Sequence, residues 1–564
     1  MLPPVSEPPP EPDLTVRALA SGLAVGALLC IANLYMGLKT GLWDSGHVTA
    51  SILAFALVGG RLSRHENNVA QTAACATGAV PAAAGLLGAV PALQLLGRVI
   101  PAWGIAVWGL ALGILGIVFA VALRRRLLVE DQLPFPTGIA TAEVIEVLHA
   151  GGAGARWRTR ALLSGGAVGA VLGWFRDGKP TLVPGSLIVP GQLARVPLGT
   201  LGVGLSTSPL LWGVGMVVGP RIGLAMLAGS AVAWLALAPW LVRGPLRMAA
   251  DTAALASWLS WPGTALLVGA ALVTLLQQAG AFRGALRDLR SVAADPVGLP
   301  SGGLVVAGVS VIVVIVVGSV AFDLPPPHAA LALAISVVGA TVCARSAGLT
   351  DISPSGPVGQ LAQAVQGWLG PGRPALNIAA GSVVAGGATE TGVLLWSLAA
   401  GRALRAPVRG QVLAAFAGCA LGAMLCTPAY TLLARTLVLG SSRLPSPTGV
   451  QWKATGEIVA RGLGALPPAS LPAVAVATGL GLLLAILGTS RAARYVPSGI
   501  AVGIGMLVPF DYSLAVFCGA AVVWFVARFR PGSAQYGAVV GAGLIAGESL
   551  VGVLAALLTS FELL

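Results

Sequence analysis

Long apolar stretches, separated by short polar segments, run along almost the whole chain. Before residue 280 they fall at approximately 16–36, 48–61, 69–92, 101–123, 161–175, 207–219, 221–242 and 252–278. After the basic segment RGALRDLR they continue at 303–322, 328–345, 358–369, 375–400, 410–437, 471–489, 496–509, 513–528 and 537–559. Many approach the roughly 20 residues that span a bilayer, and several are short enough for half-helices or re-entrant hairpins. The pattern predicts an all-α polytopic membrane protein with about 16 transmembrane segments, within a range of about 14–17.

The composition is that of a membrane protein and not of a soluble domain. Hydrophobic residues make up 56% of the chain and charged residues 9%, whereas soluble domains carry about 25% charged residues. The chain also contains 77 glycines and 39 prolines. In lipid, interrupted backbone is tolerated only where it is buried in protein or lines a wet cavity. The composition therefore favours broken helices around a cavity.

The formal net charge of +13 comes from basic residues in short loops, such as RRR at 124–126 and RWRTR at 156–160. We interpret these residues as orientation signals and not as a nucleic-acid site. Placing the loops at 61–68, 124–160 and 283–290 on the inside predicts a cytoplasmic N-terminus for a multi-pass protein of the cell (inner) membrane. The side of the C-terminus stays open.

The sequence lacks the patterns of a signal peptide and of several classes of functional site. Residues 1–13 have prolines and acids but no basic region, so they predict a short disordered tail and not a signal peptide. The six cysteines form no CxxC, and the four histidines have no metal-ligand spacing, so we expect no disulfide framework, metal or cofactor. No segment has the pattern of a P-loop, a GxSxG or an HExxH. An ATP-driven pump is therefore unsupported, and we expect no enzyme activity.

Internal repetition is the more informative signal. LPFPTG at 133–138 recurs as LPSPTG at 444–449, and GSAVAWLA at 229–236 resembles GAAVVWFV at 519–526. The pattern predicts a first transmembrane repeat at 14–290, a linker at 291–302 and a second repeat at 303–564. Duplicated units of this kind are typical of secondary transporters, whose substrate sites lie on discontinuous helices at the repeat interface. Whether the repeats are parallel or inverted stays open.

The stretch NLYMGLKTG at 33–41 places a lysine at the end of the first apolar segment. A charge near the bilayer is costly and is a functional candidate by default, although a lysine can also snorkel to the interface from a helix end. The corresponding stretch of the second repeat, GLTDISPSGPVGQ at 348–360, is also polar and interrupted by glycine and proline. Paired breaks point to a transport site. The predicted substrate-binding residues are Lys39, Tyr35, Thr40, Asp351, Ser353, Ser355 and Gln71.

Three acids are candidates for proton coupling. Glu143 follows the LPFPTG turn, Glu390 is flanked by apolar residues, and Glu548 lies inside the last apolar segment. Acids within membrane segments are typical of proton relays. The alternatives are that Glu143 is a solvated acid on an interfacial amphipathic helix, and that Glu548 is a carboxylate capped by Ser549 that faces a neighbouring helix.

The motifs together resemble a known family. NLYMGLKTGLWDSG, ENNVAQTAACATGAVPAAAG, QLPFPTGIATAEVIEV, SPLLWGVGMVVGPRIG, ISPSGPVGQLAQAV and LIAGESLVGVLAALL occur in order along almost the whole chain. They are similar to motifs of the oligopeptide transporter (OPT) superfamily. The resemblance implies a fold of about sixteen helices built by duplication. It also implies proton-coupled symport of peptides, or of metal chelates as in the yellow-stripe-like branch. Where many members have a D-L-K-x-G pattern, this sequence has SLAAG at 397–401.

We therefore expect a proton-coupled symporter that imports short oligopeptides or amino-acid-derived metal chelates. Its partners would be such a substrate, protons and the lipid bilayer, and the sequence leaves homo-oligomerisation open. A passive channel for small polar solutes is one alternative, although duplicated halves with broken helices argue against it. A membrane-embedded lipid-modifying enzyme is another, but the acids are dispersed and do not cluster on one loop.

Overall fold

The computed structural model describes residues 13–149, 153–178, 180–244, 246–277, 303–350, 353–462, 467, 469–488, 495–530 and 534–560. The first half contains helices α1 (Val16–Thr40), α2 (His47–Leu57), α3 (Arg64–Ala83), α4 (Ala89–Leu95), α5 (Ala102–Arg124), α6 (Pro136–His149), α7 (Ala153–Asp177), α8 (Pro209–Val218), α9 (Pro220–Ala231), α10 (Ala238–Arg243) and α11 (Thr252–Gln277). Two π-helical segments, Arg125–Glu130 and Val232–Leu237, extend α5 and join α9 to α10. Four short strands, β1 (Ser186–Ile188), β2 (Gln192–Leu193), β3 (Val196–Pro197) and β4 (Gly204–Ser206), form the antiparallel pairs β1–β4 and β2–β3.

The second half is also helical throughout its described part. Its helices are α12 (Gly303–Ala321), α13 (Pro326–Thr350), α14 (Ser355–Leu369), α15 (Pro374–Ala403), α16 (Val408–Leu437), α17 (Pro447–Arg461), α18 (Leu471–Leu487), α19 (Gly499–Leu507), α20 (Phe510–Phe529) and α21 (Ala534–Ser560). Within the described ranges, 7 helices are long and apolar enough to cross a membrane, and several shorter helices are also apolar. The prediction of a multi-pass α-helical membrane protein is confirmed. The number of crossings stays a prediction.

The helix ends follow local sequence. Ser63 caps α3 and forms a capping box with Glu66, whose carboxylate also binds Arg17 at the start of α1. A capping box satisfies two of the backbone donors that a helix start leaves unpaired. Helix α1 continues through Lys39 and stops at Gly41, which has φ 75° and donates its N–H to Gly37. Glycine adopts this left-handed conformation without steric cost. The first break therefore begins two residues after the lysine.

The helices pack into two bundles. The core bundle consists of α1–α6 and α12–α17, in which α1 and α16 flank α3, and α5, α13 and α14 pack on α15. The peripheral bundle consists of α7–α11 and α18–α21, in which α7 packs on α21, α11 on α18 and α19, and α8 on α20. Each bundle contains helices from both halves of the chain. Both halves are therefore needed to complete either bundle.

The direction of the core helices can be read from contacts at their ends. At one face, Arg17 of α1 pairs with Glu66 of α3, and the His65 ring contacts the Leu404 carbonyl at the end of α15. At the opposite face, Arg98 before α5 pairs with Asp323 before α13. We call these the N-terminal face and the opposite face. Helices α1 and α3 thus start at the N-terminal face, whereas α13 and α15 start at the opposite face.

Close backbone contact between α8 and α20 depends on glycine. A Cβ on Gly519 would overlap the carbonyl oxygen of Trp212, and a Cβ on Gly215 would overlap that of Val516. Small residues let membrane helices approach closely in this way.

We expect Gly519→Val to lower the thermal stability of the purified protein, because overpacking of this kind costs about 1–3 kcal/mol. The matched control is Gly479→Val in α18, where a Cβ would meet no atom within 4 Å. Thermal unfolding in detergent compares the two variants. Equal unfolding temperatures would contradict the close contact between α8 and α20.

Candidate functional site

The two predicted breaks line one cavity, which we call the break cavity. Its volume is about 280 Å³, and its wall includes Gly41–Trp43 after α1, with Ser353 and Ser355–Pro357 around the start of α14. Its polar lining is hydroxyl, amide and indole groups, contributed by Ser353, Ser355, Ser382, Thr389, Thr448, Gln451, Trp43 and Trp452. Leu267, Ile500 and Ile504 of the peripheral bundle close one side. The break cavity therefore lies between the two bundles.

The repeated LPxPTG segments hold the two breaks in place. Phe135, before α6, donates its backbone N–H to the Gly348 carbonyl of α13 at 3.0 Å, and Ser446, before α17, donates to the Leu38 carbonyl of α1 at 2.8 Å. Both donors have positive φ, 39° and 47° respectively. Each LPxPTG segment thus bonds to the helix that precedes the break in the other half of the chain. These bonds satisfy carbonyls next to a helix end, which would otherwise stay unpaired.

A second cavity, of about 400 Å³, lies on the other side of the first break, and we call it the apolar cavity. Leu42 and Trp43 line both cavities, so the chain after α1 is the wall between them. Its other walls are mainly apolar residues of α1, α2, α7, α8 and α21. Asn33, Asp44 and Thr49 are the polar residues in its lining. The apolar cavity also lies between the core and peripheral bundles.

Lys39 belongs to a buried ion cluster that joins the bundles. Its Nζ lies 3.3 Å from Oε1 of Glu548 in α21 and 4.6 Å from the centre of the Tyr35 ring. Arg176, near the end of α7, donates to the same carboxylate at 2.8 Å and also pairs with Asp177. Lys39 is only 6% exposed. Its ammonium is therefore held by Glu548 and does not reach solvent in this conformation.

Hydrogen-bond donors from three helices contact the Glu548 carboxylate. Besides the two cations, it accepts hydrogen bonds from the Ser208 hydroxyl at 2.8 Å and from the Leu210 backbone N–H at 2.7 Å. Both donors lie at the start of α8. Buried ion pairs persist only where additional hydrogen bonds satisfy the remaining lone pairs. This cluster meets that condition.

The surroundings of the Glu390 carboxylate differ from those of Glu548. It is fully buried in α15, and neither carboxylate oxygen has a hydrogen-bond partner among the residues that the structure describes. It packs against Gly116 of α5, where a Cβ would overlap the Glu390 side chain. Its neighbour Thr389 lines the break cavity. A buried polar atom without a partner in a native structure requires an explanation, such as a functional role or a bound water or ion.

The other predicted residues are more scattered. Thr40 bonds within α1 and caps its end, while Gln71 is buried in α3 and bonds to Asn68 and Thr72. Glu143 is exposed on α6. Asp351 lies outside the described residues. The structure thus brings Lys39, Tyr35 and Glu548 together, and it places Ser353 and Ser355 in the break cavity.

Sequence reasoning missed Arg176 and Ser208. A usable signal existed for Arg176, which ends the apolar run at 161–175 as Lys39 ends the first one. Ser208, in the TSP sequence before α8, has the pattern of a helix N-cap followed by proline. Neither signal identifies Glu548 as the residue that Arg176 and Ser208 contact.

Comparison with known proteins gives the family. The family model described as "OPT oligopeptide transporter protein" matches residues 13–559. The chain belongs to the OPT oligopeptide transporter family. Membership in the OPT family makes the chain a multi-pass transporter of small molecules and not an enzyme, as the sequence predicted.

Two relatives align with this OPT family member over nearly their whole length. Both carry the name "Putative oligopeptide transporter". The protein from Saccharomyces cerevisiae is 23% identical, over 96% of this chain and 95% of its own. The protein from Haemophilus influenzae is 25% identical, over 93% and 92%. A metal-nicotianamine transporter of Arabidopsis thaliana is 24% identical over 42% of this chain and 40% of its own.

The ion cluster predicts that substitutions of its acid and of its lysine lower the unfolding temperature by different amounts. Glu548→Ala would leave Lys39 buried without its anion, and breaking a buried pair by removing one partner costs about 3–5 kcal/mol. Lys39→Met would leave Glu548 with Arg176, Ser208 and the Leu210 N–H. We therefore expect Glu548→Ala to unfold at a clearly lower temperature than Lys39→Met in detergent. Equal loss in both variants would contradict a carboxylate shared by two cations.

Proposed function

We propose that the protein is a secondary active, proton-coupled symporter that imports short peptides or amino-acid-derived metal chelates across the cell (inner) membrane. The observation that carries the proposal is the break cavity between the bundles, lined by the breaks of both repeats. Glu390, an acid without hydrogen-bond partners in the described part of the chain, directly follows Thr389, which lines that cavity. The relatives' names supply the two substrate classes.

We propose further that the two halves are inverted repeats. Helix α13 lies at the same sequence offset from α1 at both of its ends, and α15 begins at that same offset from α3. The paired helices start at opposite faces, as the contacts of Arg17 and Arg98 indicate. Inverted repeats support alternating access, in which one bundle moves against the other around a fixed site. The N-terminal face is the arginine-rich one and would be cytoplasmic.

Glu390 is the acid that we assign to the coupled proton. A carboxylate without hydrogen bonds is costly to bury in its charged form, whereas a neutral carboxylic acid costs far less. The charge of Glu390 would therefore depend on whether water or substrate reaches the break cavity beside Thr389. Glu548 is held by two cations and Glu143 is exposed, so both are weaker candidates.

Lys39 is the residue that we assign to the substrate carboxylate. Its ammonium now binds Glu548 across the bundle interface. A substrate carboxylate would compete with Glu548 for this cation, and the exchange would loosen the contact between the bundles. Glu548 would keep Arg176, Ser208 and the Leu210 N–H, so the exchange leaves no unpaired charge on α21.

Uptake into proteoliposomes tests the proposal. We expect tracer uptake of peptide or chelate to increase when an inwardly directed proton gradient is imposed. Glu390→Gln keeps the side-chain shape and removes the titrating group, so its uptake should no longer respond to the gradient. Glu143→Gln and Glu548→Gln are the comparison variants. A normal gradient response in Glu390→Gln, or wild-type uptake that ignores the gradient, would overturn the assignment.

A second experiment tests Lys39. We expect Lys39→Ala to reduce uptake about tenfold or more, because a charge-assisted hydrogen bond contributes about 1.5–3 kcal/mol. Size-exclusion profile and circular dichroism should stay those of the folded protein. Wild-type uptake by this variant would mean that the lysine serves packing alone.

A further inference from the structure

Asp44 provides an unpaired carboxylate at the apolar cavity. It lies in the break between α1 and α2 and is exposed there. Asn33 holds its backbone on both sides: the Asn33 Nδ2 donates to the Asp44 carbonyl at 2.7 Å, and the Asp44 N–H donates to Asn33 Oδ1 at 3.2 Å. The carboxylate is the remaining polar group of Asp44, and within the described ranges no donor or cation contacts it.

The surroundings of Asp44 complement a specific kind of ligand. Leucine, isoleucine, valine, alanine and methionine side chains form most of the cavity wall. The nearby cation, Lys39, is held by Glu548 in the adjacent ion cluster. A carboxylate beside an apolar wall favours a ligand that carries a cationic group on an apolar body. The volume of about 400 Å³ falls within the range of small-molecule sites, roughly 300–1,000 Å³.

The apolar cavity is also adjacent to the break cavity. Leu42 and Trp43 separate the two spaces and line both. A ligand bound to Asp44 would therefore lie one residue from the cavity that contains Ser353 and Ser355.

We propose that Asp44 binds the N-terminal ammonium of a peptide whose first side chain is apolar and fills the apolar cavity. This inference rests on the proposed transport function and narrows its substrate class. The amine nitrogens of a metal chelate donate their lone pairs to the metal and must be deprotonated to do so. Such a chelate has no free ammonium for Asp44. The site therefore favours peptides over chelates.

Binding of two matched peptides tests whether the site requires a charged N-terminal ammonium on its ligand. The probes are Leu-Ala and N-acetyl-Leu-Ala, titrated into purified protein while thermal stability is followed, because a ligand that binds the folded state stabilises it. We expect wild-type protein to bind the free amine about tenfold or more tightly, the effect of a charge-assisted hydrogen bond. Asp44→Asn should bind both peptides equally. Glu146→Gln, which removes an exposed acid outside the cavity lining, should retain the preference.

Several outcomes would overturn the assignment. These are equal binding of the two peptides by wild-type protein, no stabilisation of wild-type protein by Leu-Ala, and a full amine preference in Asp44→Asn. Stabilisation by zinc–nicotianamine that is lost in Asp44→Asn would also overturn it. Failure of the transport proposal is distinguishable: it would appear as Asp44-dependent binding of Leu-Ala without any uptake of Leu-Ala into proteoliposomes.

A second variant tests the apolar part of the site. Gly166 of α7 lines the cavity, and among the residues that the structure describes a Cβ there would meet only the Gly543 carbonyl oxygen, at 3.8 Å. Gly166→Leu should fill the space and weaken Leu-Ala binding by about tenfold relative to Gly-Ala binding, the scale of a few buried methylene groups. Gly308→Leu, where a Cβ would meet no atom within 4 Å, is the control. An unchanged Leu-Ala to Gly-Ala ratio in Gly166→Leu would remove the side-chain pocket from the proposal.

Discussion

Backbone groups that a helix break frees inside a bilayer must find partners within the protein, because no water is present to bind them. Two reciprocal hydrogen bonds meet this constraint here, from Phe135 to Gly348 and from Ser446 to Leu38. Each bond joins a break in one half of the chain to the LPxPTG segment of the other half. These bonds hold the ends of the two helices whose breaks line the cavity.

The need for partners inside the protein also distinguishes the two buried acids, Glu548 and Glu390. Glu548 collects two cations, a hydroxyl and a backbone N–H, so its charge is compensated in place. Glu390 has no such donors in the part of the chain that the structure describes. The two acids are equally buried but differ in chemistry. The surroundings of Glu548 favour a charged carboxylate that joins the bundles, whereas those of Glu390 favour an acid whose protonation changes.

Transport by a protein of this family needs a site that can face either side in turn. In the proposed mechanism the bundle interface is the boundary that moves, because both cavities and the Lys39–Glu548 pair lie along it. Leu42 and Trp43 form the wall between the cavities. The two cavities and the ion pair that joins the bundles therefore meet around the end of α1.

Local sequence was sufficient for the membrane class, for the two breaks and for the repeated LPxPTG segments, since hydropathy, glycine and proline act over a few residues. Ser353 and Ser355, which the sequence analysis selected in the second break, line a cavity in the structure, and their role in substrate binding stays a prediction. Local sequence could not pair Lys39 with Glu548, because these residues are 509 positions apart and only the packing of α1 on α21 brings them together. The roles of Arg176, Ser208 and Asp44 depend in the same way on which helices meet, and side-chain partners across a bundle interface leave no local pattern in the chain.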